Sequence, residues 1–322
     1  PRVQFYAHPD CKIPITQPQT VISMSEQSLG QRLQSRFGLF CLRLVTYLPY
    51  SMIVYFGKVL GYLGYVLMAR RRAIATTNIA LCFPTLSQKD QRRIVIDSFH
   101  SIGISIFETA LSWWASDKKL SPLCHIEGLE HLRQAQSNQQ GVLLLSAHFT
   151  PLEIGGRLLA MHAPFAVMYK THHNVVMEAA IKHARQRHYQ KAIPQDDLRG
   201  FIRALKEKMT CWYAPDQDLG INRGVFAPFF GIPTATITAP SRFASITRAV
   251  VIPFFATRRQ DGRGYNLKLL PALENFPSSD PVVDATRINA IIEAQVKQTP
   301  GQYLWPHRRF KTRPEGESSV YE

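Results

Sequence analysis

Gly141-Val-Leu-Leu-Leu-Ser-Ala-His148-Phe-Thr-Pro-Leu-Glu153 decides how the rest of the chain is read. Val142 to Leu145 is an uninterrupted apolar run of strand length. Thr150-Pro151 then reads as a helix start, with Thr150 as N-cap, Pro151 at the first helical position and Glu153 at the third. His148 is therefore expected on the loop that leaves a strand and enters a helix, a position where α/β proteins place their ligands. The spacing carries two readings. Glu153 can orient the imidazole and balance its charge for base catalysis. Equally, Thr150-x-x-Glu153 is a capping box, in which the glutamate only satisfies a backbone N–H.

Downstream, short apolar runs alternate with helical patterns. Ser87 with Asp90 opens a helix that ends near Trp113-Trp114. Ile154–Met161, Val175–Tyr189 and the strongly amphipathic Asp197–Met209 read as helices. Pro281–Gln298 is another, with Asp280 at its cap. Strands are expected at Val142–Leu145, Phe165–Tyr169, Cys211–Ala214, Val250–Ala256 and Tyr265–Leu270. This alternation predicts an α/β fold, a mostly parallel central sheet flanked by helices. With connections on one sheet edge, Lys170 and Asp216 converge on His148 and Glu153. The helix at 175–189 adds a basic face, with Arg185 and Arg187 flanked by Lys182 and Lys191. Such a run is a solvated face or a clamp for anionic substrate and transition-state charge.

Phe37 to Ala69 is the greasiest stretch, interrupted only by Arg43 and Lys58. Its tyrosines suit an interface, and Arg70-Arg71-Arg72 follows directly, as on the cytosolic side of a membrane. A buried core helix capped by arginines is the competing reading. Pro49, Gly57, Gly61 and Gly64 are expected to break or kink a single helix here. A late hydrophobic stretch followed by basic residues does not read as a cleaved signal peptide. Three regions are expected: a loosely ordered segment over 1–36, a membrane-anchoring helical segment over 37–72, and a catalytic α/β domain over 73–322.

The chain has 322 residues, 45% hydrophobic and 19% charged, with a net charge of +15. This excludes disordered and fibrous classes and calls for an acidic partner. Five scattered cysteines, Cys11, Cys41, Cys82, Cys124 and Cys211, form no C-x-x-C pair and read as reduced thiols. The histidines match no zinc spacing, so no metal is expected. Neither a G-x-S-x-G elbow nor a glycine-rich phosphate loop occurs, which disfavours serine hydrolases and nucleotide-binding enzymes. A base without a protein nucleophile remains. His148 would deprotonate a substrate hydroxyl, which attacks an activated acyl group directly.

Longer segments carry a resemblance. His148-x4-Glu153 resembles the H-x4-D/E signature of the glycerolipid and lysophospholipid acyltransferase superfamily. Tyr213-Ala-Pro-Asp216-Gln, Val225 to Gly231, Gly262 to Pro271 and Gln302 to Gly316 are similar to the lauroyl/myristoyl acyltransferases that complete lipid A in Gram-negative bacteria. The resemblance spans residues 37 to 316. It implies transfer of a medium-length acyl chain from acyl carrier protein to a hydroxyacyl chain of a Kdo-bearing lipid A precursor, at the cytoplasmic face of the inner membrane and with no cofactor. His148 and Glu153 match the family's catalytic dyad. Arg185 matches an arginine that stabilises the oxyanion or binds phosphate, and Asp216 an aspartate that orients Arg185 or a substrate hydroxyl. Lys170 stands where some relatives carry arginine. Two alternatives fit the same residues: a glycerol-phosphate or lysophospholipid acyltransferase, and a non-enzymatic basic protein that binds membrane or nucleic acid. The single aromatic among Lys182 to Lys191, Tyr189, argues against nucleic acid.

Overall fold

The computed structural model describes residues 28–321. Four helices come first: α1 (Leu29–Leu44), α2 (Tyr50–Leu67), α3 (Ala69–Cys82) and α4 (Gln88–Trp114). The chain continues through α5 (Asp117–Leu120), β1 (Cys124–Glu127), α6 (Leu129–Ser137), β2 (Val142–Leu145), α7 (Leu152–Ala160), β3 (Ala166–Tyr169), α8 (Val175–His188) and β4 (Lys191–Pro194). It closes with α9 (Leu198–Lys206), β5 (Thr210–Tyr213), β6 (Gly224–Phe229), β7 (Ile232–Ile237), α10 (Ala239–Thr247), β8 (Val250–Arg258), β9 (Tyr265–Leu269) and α11 (Pro281–Gln298).

Seven strands form the central sheet in the order β1-β9-β8-β2-β5-β3-β4. β8, β2, β5, β3 and β4 run parallel, and β9 pairs antiparallel to β8. The expected mostly parallel sheet is therefore present. Its centre, β2, is buried at every residue because helices cover both faces. Leu143 and Leu145 point into one core with Phe201, Val251 and Trp305. Val142 and Leu144 point into the other with Leu158, Phe165 and Ile252. Burying each leucine contributes on the order of 1.5–3 kcal/mol.

Several elements carry no signal in the apolar pattern. β1, β4, α6 and α10 are short, and the β6–β7 hairpin is interrupted by Pro228 and joined through Phe230-Gly231. Gly231 takes φ +75 with nothing near a Cβ, so its role there is the turn conformation. Phe229 of this hairpin is buried against Tyr303 and Phe310, and so belongs to the core.

The N-terminal segment differs in detail from expectation. α1 begins at Leu29, inside the stretch expected to be loosely ordered; residues 1–27 lie outside the described residues. A capping box starts it: Gln31 N–H donates to Ser28 Oγ at 3.3 Å and Ser28 N–H to Gln31 Oε1 at 3.1 Å. Leu29, Leu33, Phe37, Phe40 and Leu44 are all exposed along one stripe of α1. Pro49 does break the helix, standing at the N-cap of α2. Gly57 and Gly61 do not break it. They line the seam where α2 meets α4, and a Cβ at Gly57 would lie 2.6 Å from Ile104 Cα. Small residues at this seam let the two backbones approach. Ile53 is buried beside these glycines, and most of the remaining α2 surface is apolar and exposed, including Tyr55, Leu63 and Leu67. By length and hydropathy α2 and α4 are each long and apolar enough to cross a bilayer, but over half of the apolar window of α4 is buried inside the protein.

Candidate active site

Register brings two functional groups together. β2 and β5 are neighbours with Leu145 opposite Tyr213, and the ladder continues through Ser146 N–H to Tyr213 O at 2.9 Å. His148 and Asp216 each stand three residues beyond that pair, at the carboxyl edge of the sheet. His148 Nδ1 lies 2.6 Å from Asp216 Oδ1, and the His148 backbone N–H donates to Asp216 Oδ2 at 2.9 Å. Tyr303 Oη donates to the same Oδ2 at 3.0 Å.

Asp216 is buried, and burial pushes its carboxyl up. The facing His148, its two N–H groups and Arg309 pull it down further, to about 2. The carboxylate is ionised, so His148 Nδ1 must carry the proton that lies between them. In the neutral imidazole this leaves the Nε2 lone pair as acceptor, and Nε2 has no protein partner among the described residues. Burial lowers the imidazole's affinity for a second proton, but Asp216 outweighs it and the His148 pKa is raised. The imidazole keeps 29% exposure. Burial and the Asp216 carboxylate hold Tyr303 protonated, as its donor role requires.

Glu153 makes no hydrogen bond to His148. Its place in the first turn of α7 carries it to a different set of partners. Trp113 Nε1 donates to Oε1 at 3.3 Å, and Arg185 Nη2 donates to Oε2 at 3.4 Å. Arg185 also lies over the Tyr169 ring at 5.3 Å, a cation–π contact. Asp216 therefore pairs with His148 and makes no ion pair with Arg185, which faces Glu153. Lys170 and Arg187 are exposed and make no side-chain hydrogen bond among the described residues. Neither takes part in the hydrogen-bonded centre.

The capping box at Thr150 does not form either. Pro151 is the N-cap of α7, with no side-chain hydrogen bond. Thr150 is drawn away because Arg258 Nη1 donates to its Oγ1 at 3.0 Å. Arg258 is buried at the end of β8 and grips Glu108 of α4 with two bonds, Nε to Oε1 at 2.6 Å and Nη2 to Oε2 at 2.5 Å. Tyr265 Oη donates to Glu108 Oε1 at 2.8 Å, and Ser101 completes the cluster by bonding Arg258 and Thr150. This ion pair pins the loop that carries His148 to both α4 and the sheet. Leu304 N–H donates to His148 O at 3.1 Å and Thr150 N–H to Gln302 O at 2.8 Å, closing the loop's other side. Sequence reasoning missed Tyr303, Glu108 and Arg258 as parts of the site. Glu108 carried a signal, since a carboxylate stands alone in the apolar run Ile102 to Trp114.

Among the described residues no group of three or more His, Cys, Asp or Glu is arranged to hold a metal. Cys41, Cys82, Cys124 and Cys211 are unpaired thiols, and Cys11 lies outside the described residues.

Residues 26–312 match the family described as bacterial lipid A biosynthesis acyltransferase. The chain is 37% identical over 285 residues to a lipid A biosynthesis lauroyltransferase of Escherichia coli, covering 88% of this chain and 93% of that one. It is 36% identical over 286 residues to a lipid A biosynthesis palmitoleoyltransferase of the same organism, with the same coverage. Among solved structures, the 1-acyl-sn-glycerophosphate acyltransferase PlsC of Thermotoga maritima aligns with a TM-score of 0.38 at 14% identity, over 82% of this chain and 98% of that one. The chain belongs to the bacterial lipid A biosynthesis acyltransferases.

Proposed function

We propose that this acyltransferase moves a medium-length acyl chain from an acyl carrier protein thioester to the hydroxyl of a hydroxyacyl chain on a Kdo-bearing lipid A precursor. One observation carries the reading: an imidazole whose Nδ1 is held by a buried carboxylate and whose Nε2 is uncommitted, at the carboxyl edge of the sheet. His148 Nε2 takes the proton of the acceptor hydroxyl as its oxygen attacks the thioester carbonyl carbon. The imidazolium is stabilised by Asp216 across the 2.6 Å contact. The tetrahedral oxyanion collapses, the C–S bond breaks, and the thiolate leaves with the proton that His148 returns. No acyl-enzyme forms.

Arg185 supplies positive charge to the oxyanion, and Glu153 and the Tyr169 ring fix its guanidinium. Lys170 and Arg187 extend a basic rim for the acidic carrier protein, in keeping with the net charge of +15. Residues 37–72 anchor the chain at the bacterial inner membrane through the exposed apolar faces of the first two helices, and residues 73–322 work on its cytoplasmic side.

The test is acyl transfer by the purified full chain, followed by mass spectrometry of the lipid product. His148→Ala should lower the rate by roughly 10² to 10⁴ with the fold retained. Near-normal turnover by the folded variant rules out His148 as base. A mass gain on glycerol phosphate or lysophospholipid, with none on the lipid A precursor, rules out the acceptor.

A further inference from the structure

A cavity of about 290 Å³ lies between α3 and the carboxyl-terminal segment. Arg70 and Thr77, seven residues apart on one face of α3, form one wall. Arg308, Val320 and Tyr321 form the other. Arg308 is half-buried with its guanidinium over the Tyr321 ring at 5.6 Å. Its neighbour Arg309 turns inward and donates to Ala235 O at 2.8 Å and Thr236 Oγ1 at 3.2 Å. Neither Arg70 nor Arg308 has an ion-pair partner among the described residues. Two guanidiniums facing one cavity repel, and an anion between them relieves that repulsion.

The walls are braced. Asn78 Nδ2 donates to Trp305 O at 2.7 Å and His307 O at 2.8 Å, while Arg71 Nη1 donates to Pro306 O at 3.2 Å. The same segment leads to the catalytic loop through the Leu304–His148 bond. Arg308 stands four positions after Leu304, so their Cα atoms are at most about 14 Å apart. On the other side, Leu67 and Met68 are exposed apolar residues just before Arg70. The cavity thus joins the apolar surface of α2 to the chain that holds His148.

We propose that this cavity binds a phosphate monoester on a lipid head group, with Arg70 and Arg308 as its two forks. The inference deepens the reading of the acceptor as a lipid A precursor and rests on it. Occupancy places the lipid's acyl hydroxyl over His148, so the site acts on acceptor binding and not on the chemical step.

The full chain is tested by partitioning onto phosphatidylcholine vesicles doped with phosphatidic acid or with phosphatidylglycerol, matched in surface potential. The wild type should favour the monoester by about tenfold or more, the scale of one or two charge-assisted hydrogen bonds. Arg70→Gln with Arg308→Gln should bring that ratio to near one. Arg32→Gln with Arg36→Gln removes the same charge from α1 and should leave the ratio intact. An equal loss in both double variants would reduce the effect to bulk charge and overturn the site. Competition by inorganic phosphate as strong as by phosphatidic acid would overturn the lipid as its source. If the double variant fails to fold, Arg70→Gln alone carries the test, since Arg70 is exposed and makes no described contact. Because partitioning needs no acyl transfer, a preserved ratio with an inactive enzyme would sink the proposed reaction and leave the site standing. With activity present, the double variant should raise KM for the lipid acceptor with kcat nearly unchanged.

Discussion

Replacing Asp216 with asparagine attacks the site at its most constrained atom pair. The carboxylate accepts three hydrogen bonds, from His148 Nδ1, the His148 backbone N–H and Tyr303 Oη. Asparagine offers one acceptor oxygen and one donor amide. If the oxygen faces Nδ1, the amide meets a backbone N–H that can only donate, leaving unsatisfied groups at a cost of about 1–3 kcal/mol. If the amide faces Nδ1, the imidazole must move its proton to Nε2, and the base is lost. Either way kcat/KM should fall by roughly 10² to 10⁴. The pH profile adds an independent sign. The wild-type His148 pKa is raised, so the acid limb of kcat/KM should lie above the ordinary histidine value of about 6.5. In Asp216→Asn burial acts without the carboxylate, and the limb should shift down. Initial rates of acyl transfer between pH 5 and 9, approximate limits that bracket the histidine range, with circular dichroism confirming the fold, measure both. A folded variant within tenfold of wild type, or an acid limb that stays in place, refutes the assignment of Asp216.

The same carboxyl predicts a stability loss in acid. Its folded pKa of about 2 lies below the ordinary 3.8, so its contribution of about 2 kcal/mol is present above pH 4 and is lost as pH falls towards 2; denaturant midpoints across that window check it. Glu108→Gln leaves Arg258 buried beside a neutral partner and should cost about 3–5 kcal/mol, read from urea unfolding; a loss under 1 kcal/mol contradicts the pinning role. Arg185→Met should lower kcat more than it raises KM for either substrate if the guanidinium meets the oxyanion; a pure KM effect would make it a binding residue. Gly61→Leu forces a side chain into the Phe99 backbone of α4 and should cost about 2 kcal/mol or more, with α2 becoming susceptible to protease. An unchanged melting temperature and protease pattern would contradict the close seam.

Much of this was legible in the sequence because it follows from local periodicity. β2, α9 and α11 declare themselves by apolar runs, an amphipathic stripe and an Asp-Pro start. His148 was legible as the residue beyond a buried strand. The partner of His148 was not, because sequence proximity favoured Glu153 while strand register favoured Asp216. Register between β2 and β5 is a long-range property, set across 68 residues of intervening chain. Thr150 is a similar case. Its local cap signal is sound, but a buried arginine over a hundred residues away competes for the same hydroxyl and wins. The β6–β7 hairpin was missed because Pro228 and a mixed pattern hide its alternation.

Helix α4 has 27 residues and so runs about 40 Å as a single rod. Gly103 lies in the seam with α2, Glu108 one and a half turns on clasps Arg258, and Trp113 donates to Glu153 near the far end. One element therefore sets the azimuth of the apolar helix and of both acidic groups together. A single inserted residue between positions 103 and 108 would swing the two halves by about 100° against each other. The spacing between greasy exterior and reactive crevice is thus geared through one axle, and cannot drift in one place without being felt in the other.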